Sequence, residues 1–262
     1  MLRFSKTTST GQSTLNYPSL SIFKQGLMCA FQASDSSNRI FIMYSQDGEK
    51  WSSEKQIGNN TSSSPPSICE FNNQIFCAFR GTNSSSSLYL TYSSDGGKGW
   101  VNAYQLRNNT TLCGPYLFVF NSKLYCAFVA SDGSNKLYLT HSSDGVIWSD
   151  IYQLGKNTTS STPSFCTFNN KLYCAFQANG SPYKILLTHS DDGKTWTKVK
   201  QIGDNTTATG PSLAVYDEKL YCAFQANGSP YKIFLTHSVD GKSWSKIVNP
   251  GNNTTSSTPT IV

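Results

Sequence analysis

Apolar residues along this chain fall in short bursts closed by turn pairs, not in the three-and-four spacing of an amphipathic helix. The segment from residue 163 to 202 shows the arrangement. Pro163–Phe168, Lys171–Gln177, Lys184–Ser190 and Trp196–Ile202 read as four strands, A to D. They are parted by Asn169-Asn170, by Asn179-Gly180-Ser181-Pro182 and by Asp192-Gly193, all of them turn-forming. Strand B carries Leu172, Tyr173, Cys174, Ala175 and Phe176 in succession, so it is apolar on both faces, as a strand covered on both sides requires.

The same pattern returns along the whole chain. Trp51, Trp100, Trp148, Trp196 and Trp244 are spaced by 49, 48, 48 and 48 residues. Cys29, Cys77, Cys126, Cys174 and Cys222 keep that step inside a repeated Cys-Ala-Phe triplet, and so do Pro18, Pro66, Pro115, Pro163, Pro211 and Pro259. Residues 173–185 and 221–233 are identical. Four antiparallel strands per unit of about 48 residues, five times over, predict an all-β, five-bladed β-propeller. A solenoid would need polar capping repeats, and the first and last units here are as apolar as the others. The chain therefore reads as one domain, 1–262, with blades at 17–58, 65–107, 114–155, 162–203 and 210–250. Segments 1–16 and 251–262 are expected at the ring closure, with Leu2–Lys6 where a leading strand D would lie and Pro259–Val262 where a sixth strand A would begin; an incomplete sixth blade or contact with another chain is the alternative.

Composition fits strands and turns. Charged residues make up 14% of the chain and aromatic residues 13%, which leaves too little charge to clothe surface helices. No stretch approaches the roughly 18 consecutive apolar residues of a spanning helix, so no membrane insertion is expected. The net charge of +6 comes from scattered lysines, which argues against a nucleic-acid partner. The start, Met1 to Lys6, lacks the apolar core of a secretory leader, so a soluble protein is expected, cytoplasmic or exported by another route.

The turns before the tryptophans are themselves a motif. Ser45…Asp47-Gly48…Trp51, Ser93…Asp95-Gly96…Trp100, Ser142…Asp144-Gly145…Trp148, Ser190…Asp192-Gly193…Trp196 and Ser238…Asp240-Gly241…Trp244 stand in register. This resembles the Asp-box, or bacterial neuraminidase repeat, written S-x-D-x-G-x-x-W. The second copy has that length and the other four are one residue shorter, as in sugar-binding propeller lectins. The resemblance covers almost the entire chain and implies a structural role: the Asp side chain accepts backbone N–H groups of its own turn, Gly supplies positive φ, and Trp packs into the blade. It also raises the question of sialidase chemistry, which uses an arginine triad, a Tyr nucleophile assisted by Glu, and an Asp acid/base. The arginines are Arg3, Arg39, Arg80 and Arg107, none in an Arg-Ile-Pro context. The glutamates are Glu49, Glu54, Glu70 and Glu218, and no carboxylate pair marks one blade. A five-fold ring that catalyses at one centre should break its symmetry there; none is evident in the sequence, and no enzyme activity is expected.

His141, His189 and His237 share a position held by Tyr44 and Tyr92 in the first two units, so packing at the end of strand C is expected there, not metal ligation; no metal and no cofactor is expected. Cys69, Cys113 and Cys166 are additions near strand A; they are buried free thiols, or Cys69 pairs with Cys77 and Cys166 with Cys174.

Candidate ligand residues come from two repeated polar loops at the end opposite the Asp turns. One runs Gln177, Asn179, Tyr183, Lys184, with the copy Gln225, Asn227, Tyr231, Lys232. The other is the crossover at Asn157-Thr158 and Asn205-Thr206. Amides and hydroxyls match sugar hydroxyls, and a Tyr ring offers a platform to a sugar's C–H face. Asn and Thr also cap bends through their own backbone and form glycosylation sequons, so both roles stay open for the crossover. The reading is a lectin that binds glycans or glycoconjugates multivalently and without catalysis, with self-association as a further option. A protein- or peptide-binding scaffold and a sialidase-like glycosidase are the alternatives.

Overall fold

The computed structural model describes residues 10–251 and 253–262; the proposed leading strand at Leu2–Lys6 lies outside them. The chain forms a five-bladed, all-β propeller of antiparallel sheets. The first blade comprises β1 (Ser19–Phe23), β2 (Gly26–Gln32), β3 (Arg39–Ser45) and β4 (Lys55–Thr61), and the second β5 (Ser67–Phe71), β6 (Gln74–Arg80), β7 (Ser87–Ser93) and β8 (Tyr104–Thr110). The third has β9 (Tyr116–Phe120), β10 (Lys123–Val129), β11 (Lys136–Ser142) and β12 (Tyr152–Thr158). The fourth has β13 (Ser164–Phe168), β14 (Lys171–Gln177), β15 (Lys184–Ser190) and β16 (Lys200–Thr206). The fifth has β17 (Ser212–Tyr216), β18 (Lys219–Gln225) and β19 (Ile233–Ser238), and its outer strand is reduced to the bridges Leu235–Val248 and Lys232–Thr254.

The chain divides into two compact units, 13–162 and 163–262, the latter joined by the described residues 10–12. In each, the core lies between successive sheets. Met28, Ile42 and Ile57 pack against Ile68, Ile75 and Cys77; Phe76, Leu88 and Leu90 against Leu124, Cys126 and Phe128; and Tyr173, Ile185 and Ile202 against Leu213, Leu220 and Phe224.

Strands B and C fall where the apolar pattern predicts them, but strand D does not. In the fourth blade it runs Lys200–Thr206 instead of Trp196–Ile202, because Trp196 belongs to the turn that precedes it, where Thr197 N–H donates to His189 O at 3.0 Å. The crossover residues Asn157, Thr158, Asn205 and Thr206 are consequently the last residues of outer strands. Those strands are bulged against strand C, with Gly58, Gly155 and Gly203 at φ of 54–58°. The side chain amide of Asn60, Asn157 or Asn205 closes each bulge by donating to the carbonyl three residues earlier, at 2.9–3.0 Å.

Inner strands are tied by serine. Ser19, Ser67, Ser164 and Ser212 each accept, through Oγ, the N–H of Ile68, Leu117, Leu213 and Ile261 at 2.9–3.1 Å. Ile261 thus takes the place of a sixth strand A in this ladder, although residues 259–262 form no strand.

The Asp–Gly turns are built on short bonds. Asp47, Asp144, Asp192 and Asp240 each accept two backbone N–H groups on Oδ1 at 2.7–2.8 Å, and Asp95 accepts those of Lys98 and Gly99 at 2.9 Å. These bonds hold all five carboxyls below the ordinary range, Asp240 at about 2. The turn glycines have a second role across the blade boundary. A Cβ at Gly97, Gly145 or Gly241 would overlap the Tyr44 hydroxyl, the Phe76 ring or the Tyr173 hydroxyl of the preceding blade.

All eight cysteines are free thiols. The strand A to B bridges considered from sequence are excluded by the pleat. Cys77 lies opposite Ile68 and Cys174 opposite Phe165, so Cys69 and Cys166 point to the other face of their sheets. His141 and His189 stack on Tyr125 and Tyr173 at 5.2 and 5.1 Å, and their Nδ1 atoms meet the hydroxyls of Ser149 and Thr197. No helix among the described residues is long and apolar enough to cross a membrane.

Candidate functional site

The end of the sheets opposite the Asp turns carries the B–C loops and the crossovers, and the residues singled out there by sequence divide into two groups. Gln177 and Gln225 are 3% and 2% exposed, and each Nε2 donates to the backbone carbonyl of the crossover, Thr207 (2.8 Å) and Thr255 respectively. Gln32 makes the same bond to Ser62 O at 2.6 Å. These amides therefore lash strand B to the crossover. Asn157 and Asn205 spend their amides on the bulge, and Thr158 and Thr206 pair with Lys136 and Lys184. The second group faces solvent: Asn179, Tyr183, Lys184, Asn227, Tyr231 and Lys232 are exposed. Tyr183 and Tyr231 are 40% and 47% exposed and sit at φ of 57° and 55°. Asn38 and Asn135 hold the same position in the first and third blades at 57° and 54°. Asn enters the left-handed region readily and an aromatic residue does not, so the two tyrosines hold a strained backbone in order to present a ring at the loop tip.

The repeat does break its pattern at this end, within the 13–162 unit. Where blades one, four and five have the lashing Gln, blade two has Arg80 and blade three Val129. Where the other inner strands carry the linking Ser, β9 begins with Tyr116. Cys113 follows the second crossover, and Tyr17 stands at the entry to the first blade, in the position held by Pro65, Gly114 and Thr162 in the next three.

These departures meet. The Tyr17 hydroxyl bonds to Thr162 and lies near Cys113 and Tyr116; burial pushes it well above the usual phenol range, so it stays protonated. Thr162 Oγ1 donates to Gly114 O at 2.9 Å and also bonds the Cys113 thiol, which burial raises to about 11 against the opposing charge of Arg80. Arg80 donates from Nη2 to Ser86 Oγ at 2.6 Å, while its Nε is buried without an acceptor. Arg39 and Arg107 face Asp35 and Asp150, but among the described residues no carboxylate faces Arg80. The absence of asymmetry expected from the sequence is thus corrected: single-copy residues scattered over 17–162 come together through the crossovers. A repeat-by-repeat reading treats such substitutions as drift. The usable signal was that Tyr17, Arg80, Cys113 and Tyr116 all depart from the repeat near one end of the strands.

The carboxylates at this end of the unit are Asp35 and Asp132, in the B–C loops of the first and third blades. Hydrogen bonds from Ser37 and Arg39 hold Asp35 at about 2, and Ser134 lowers Asp132 in the same way. Both are ionised at neutral pH.

No protein-family model and no curated protein matches the sequence. Solved structures do match it in fold. A Dyadobacter fermentans protein of unknown function superposes with a TM-score of 0.70 at 15% identity, covering 91% of this chain and 84% of that one. The NanB sialidase of Streptococcus pneumoniae gives 0.66 at 14%, covering 94% and 63%. An α-L-arabinofuranosidase of Clostridium thermocellum gives 0.62 at 13%, covering 88% and 93%. At such identities the likeness establishes the propeller and nothing finer. The propellers named here by a reaction are nonetheless glycosidases, and with them the expectation of a lectin without catalysis, and of no enzyme activity, is overturned.

Proposed function

We propose that this chain is a propeller glycosidase, cleaving a glycosidic bond at the crossover end of the 13–162 unit over Tyr17, Arg80, Cys113 and Tyr116. The observation that carries the reading is the local break of the repeat: a reaction has one centre, and here single-copy polar side chains converge on one place in an otherwise iterated fold. The fold is shared with an arabinofuranosidase, an exo-β-1,3-galactanase and a sialidase, which supports a sugar substrate. The five Asp–Gly turns support kinship with the Asp-box propellers. An ionised carboxylate serves as base or nucleophile toward an oxocarbenium-like transition state, a role open to Asp35 and Asp132. Tyr17, protonated and with its hydroxyl engaged by Thr162, is a positioning group in this reading, not the proton-transferring acid. Asn179, Tyr183, Asn227 and Tyr231 are proposed as additional sugar contacts on the other unit, through the exposed rings.

The test is release of sugar from a panel of aryl arabinofuranosides, galactosides, xylosides and sialosides. Turnover above the buffer blank is expected on at least one, with kcat/KM reduced about 100-fold or more by Asp35→Asn or Asp132→Asn. No release from any member at high protein concentration would overturn the proposal.

A further inference from the structure

The two loops that carry the exposed tyrosines also contain the chain's two Asn-Gly pairs, Asn179-Gly180 and Asn227-Gly228. An asparagine before glycine can react with its own backbone, because no side chain on the next residue keeps that residue's nitrogen from the amide carbon. Both sites leave the route open. Asn179 and Asn227 are exposed, and among the described residues neither their side chains nor the N–H groups of Gly180 and Gly228 have a hydrogen-bond partner. A Cβ placed at either glycine would meet nothing within 4 Å. The loop is held on either side of the pair instead: Ala178 N–H donates to Lys184 O at 2.8 Å and Tyr183 N–H to Gly180 O at 2.9 Å, and the same bonds recur at Ala226 and Tyr231. The Asp-Gly turns carry related chemistry and are closed to it. Gly48, Gly145, Gly193 and Gly241 each donate N–H to the serine hydroxyl of their turn at 2.8–2.9 Å, and the turn carboxylates are ionised, which makes them poor electrophiles. Asn60, Asn157 and Asn205 have their amides bound and are followed by threonine.

We propose that Asn179 and Asn227 are sites of spontaneous deamidation, which rewrites both loop tips as the protein ages. Gly180 N bonds to Asn179 Cγ, the Cγ–Nδ2 bond breaks, and ammonia leaves with the proton that Gly180 N gives up. Water then opens the five-membered imide. Cleavage between the nitrogen and Cγ leaves an aspartate, and cleavage between the nitrogen and the main-chain carbonyl carbon leaves an isoaspartyl link. The same balance holds at Asn227 and Gly228. Each event puts a carboxylate in a loop that carries an exposed lysine, Lys184 or Lys232, and the two together take the net charge from +6 to 6 − 2 = +4. The isoaspartyl form also adds a main-chain carbon between loop ends that the Gln177 and Ala178 bonds hold, so the extra length is taken up at the tip that bears Tyr183. None of this depends on turnover in the 13–162 unit.

The experiment is incubation of the intact chain at mildly alkaline pH, sampled over days. Released ammonia and isoaspartate are quantified, ion exchange resolves the charge forms, and tryptophan fluorescence verifies the native state throughout. A blocked peptide, Ala-Asn-Gly-Ser-Pro-Tyr, is the reference. Two successive acidic shifts are expected, with conversion at Asn179 and Asn227 within about ten-fold of the peptide's rate and about ten-fold or more faster than at any turn aspartate. Tryptic fragments 172–184 and 220–232 are identical in sequence, so Asn179→Gln and Asn227→Gln, made singly, assign the sites, each removing one of the two shifts. Conversion of the peptide while both asparagines stay intact in the protein would overturn the proposal, as would isoaspartate formed as fast at Asp144 and Asp192 as in the two loops.

Discussion

Gly145 shows how much of this fold is decided at single positions. Its φ of 79° is one that a residue with a Cβ adopts only under strain, and a Cβ there would also run into the Phe76 ring, itself 1% exposed. Gly48 holds the equivalent place in the first blade at φ 75°, with only the tip of Leu27 nearby at 3.5 Å. Gly48→Ala is therefore expected to cost about 1 kcal/mol from backbone strain alone, and Gly145→Ala about 2–4 kcal/mol, as strain and overpacking add. Urea unfolding of the two variants checks this; equal losses would mean that the ring contact contributes nothing. The sequence disclosed the positive φ through the Asp-Gly pair but not the ring, because the partner lies one repeat away and only the packed blades bring it in.

At the scale of elements, the inner strands are joined by a hydroxyl, not by a ladder. Ser67 is 4% exposed and is the acceptor for the N–H of Leu117, so Ser67→Ala leaves a buried donor unpaired and should lower stability by about 1–3 kcal/mol. Ser212→Ala, whose partner Ile261 lies in the terminal segment, should cost less; chemical denaturation of both variants makes the comparison. Strands A, B and C were legible because buried residues crowd them. Strand D was not, since Lys200–Thr206 buries one residue, Ile202, and keeps its place through a bulge and an Asn side chain that no hydropathy pattern reports. The candidate site fared likewise. Exposed Tyr183 and Tyr231 could be chosen as loop-tip rings, whereas Gln177 and Gln225 looked available only because the carbonyls they bind sit 30 residues further on.

For the whole molecule, repetition multiplies small effects. All five Asp turns hold a carboxyl below the usual carboxylate range, so each favours the folded state fully above about pH 4, the ordinary aspartate value, and gives up that contribution as pH falls toward the folded value, about 2 for Asp240. Acid titration followed by tryptophan fluorescence should show a native signal down to pH 4 and a cooperative loss below it, and Asp144→Asn should make the loss less steep. Unfolding that begins above pH 5 would contradict this account. The fold could be read from the sequence because five copies of a weak signal add up. The candidate site could not, because it is written in the exceptions to those copies.

The pairing of a turn glycine with the preceding blade's aromatic side chain carries one more consequence. In three pairs of successive repeats the later one offers a notch that receives and the earlier one a ring that is received, so a copy inserted into such a pair fits only if its notch suits the ring before it and its ring suits the notch after it. Tyr44 with Gly97, Phe76 with Gly145 and Tyr173 with Gly241 are three versions of that fit. Exchanging whole repeats should thus be tolerated between links of like ring size and refused elsewhere, which makes the order of the repeats, as well as their number, an inherited property of the chain.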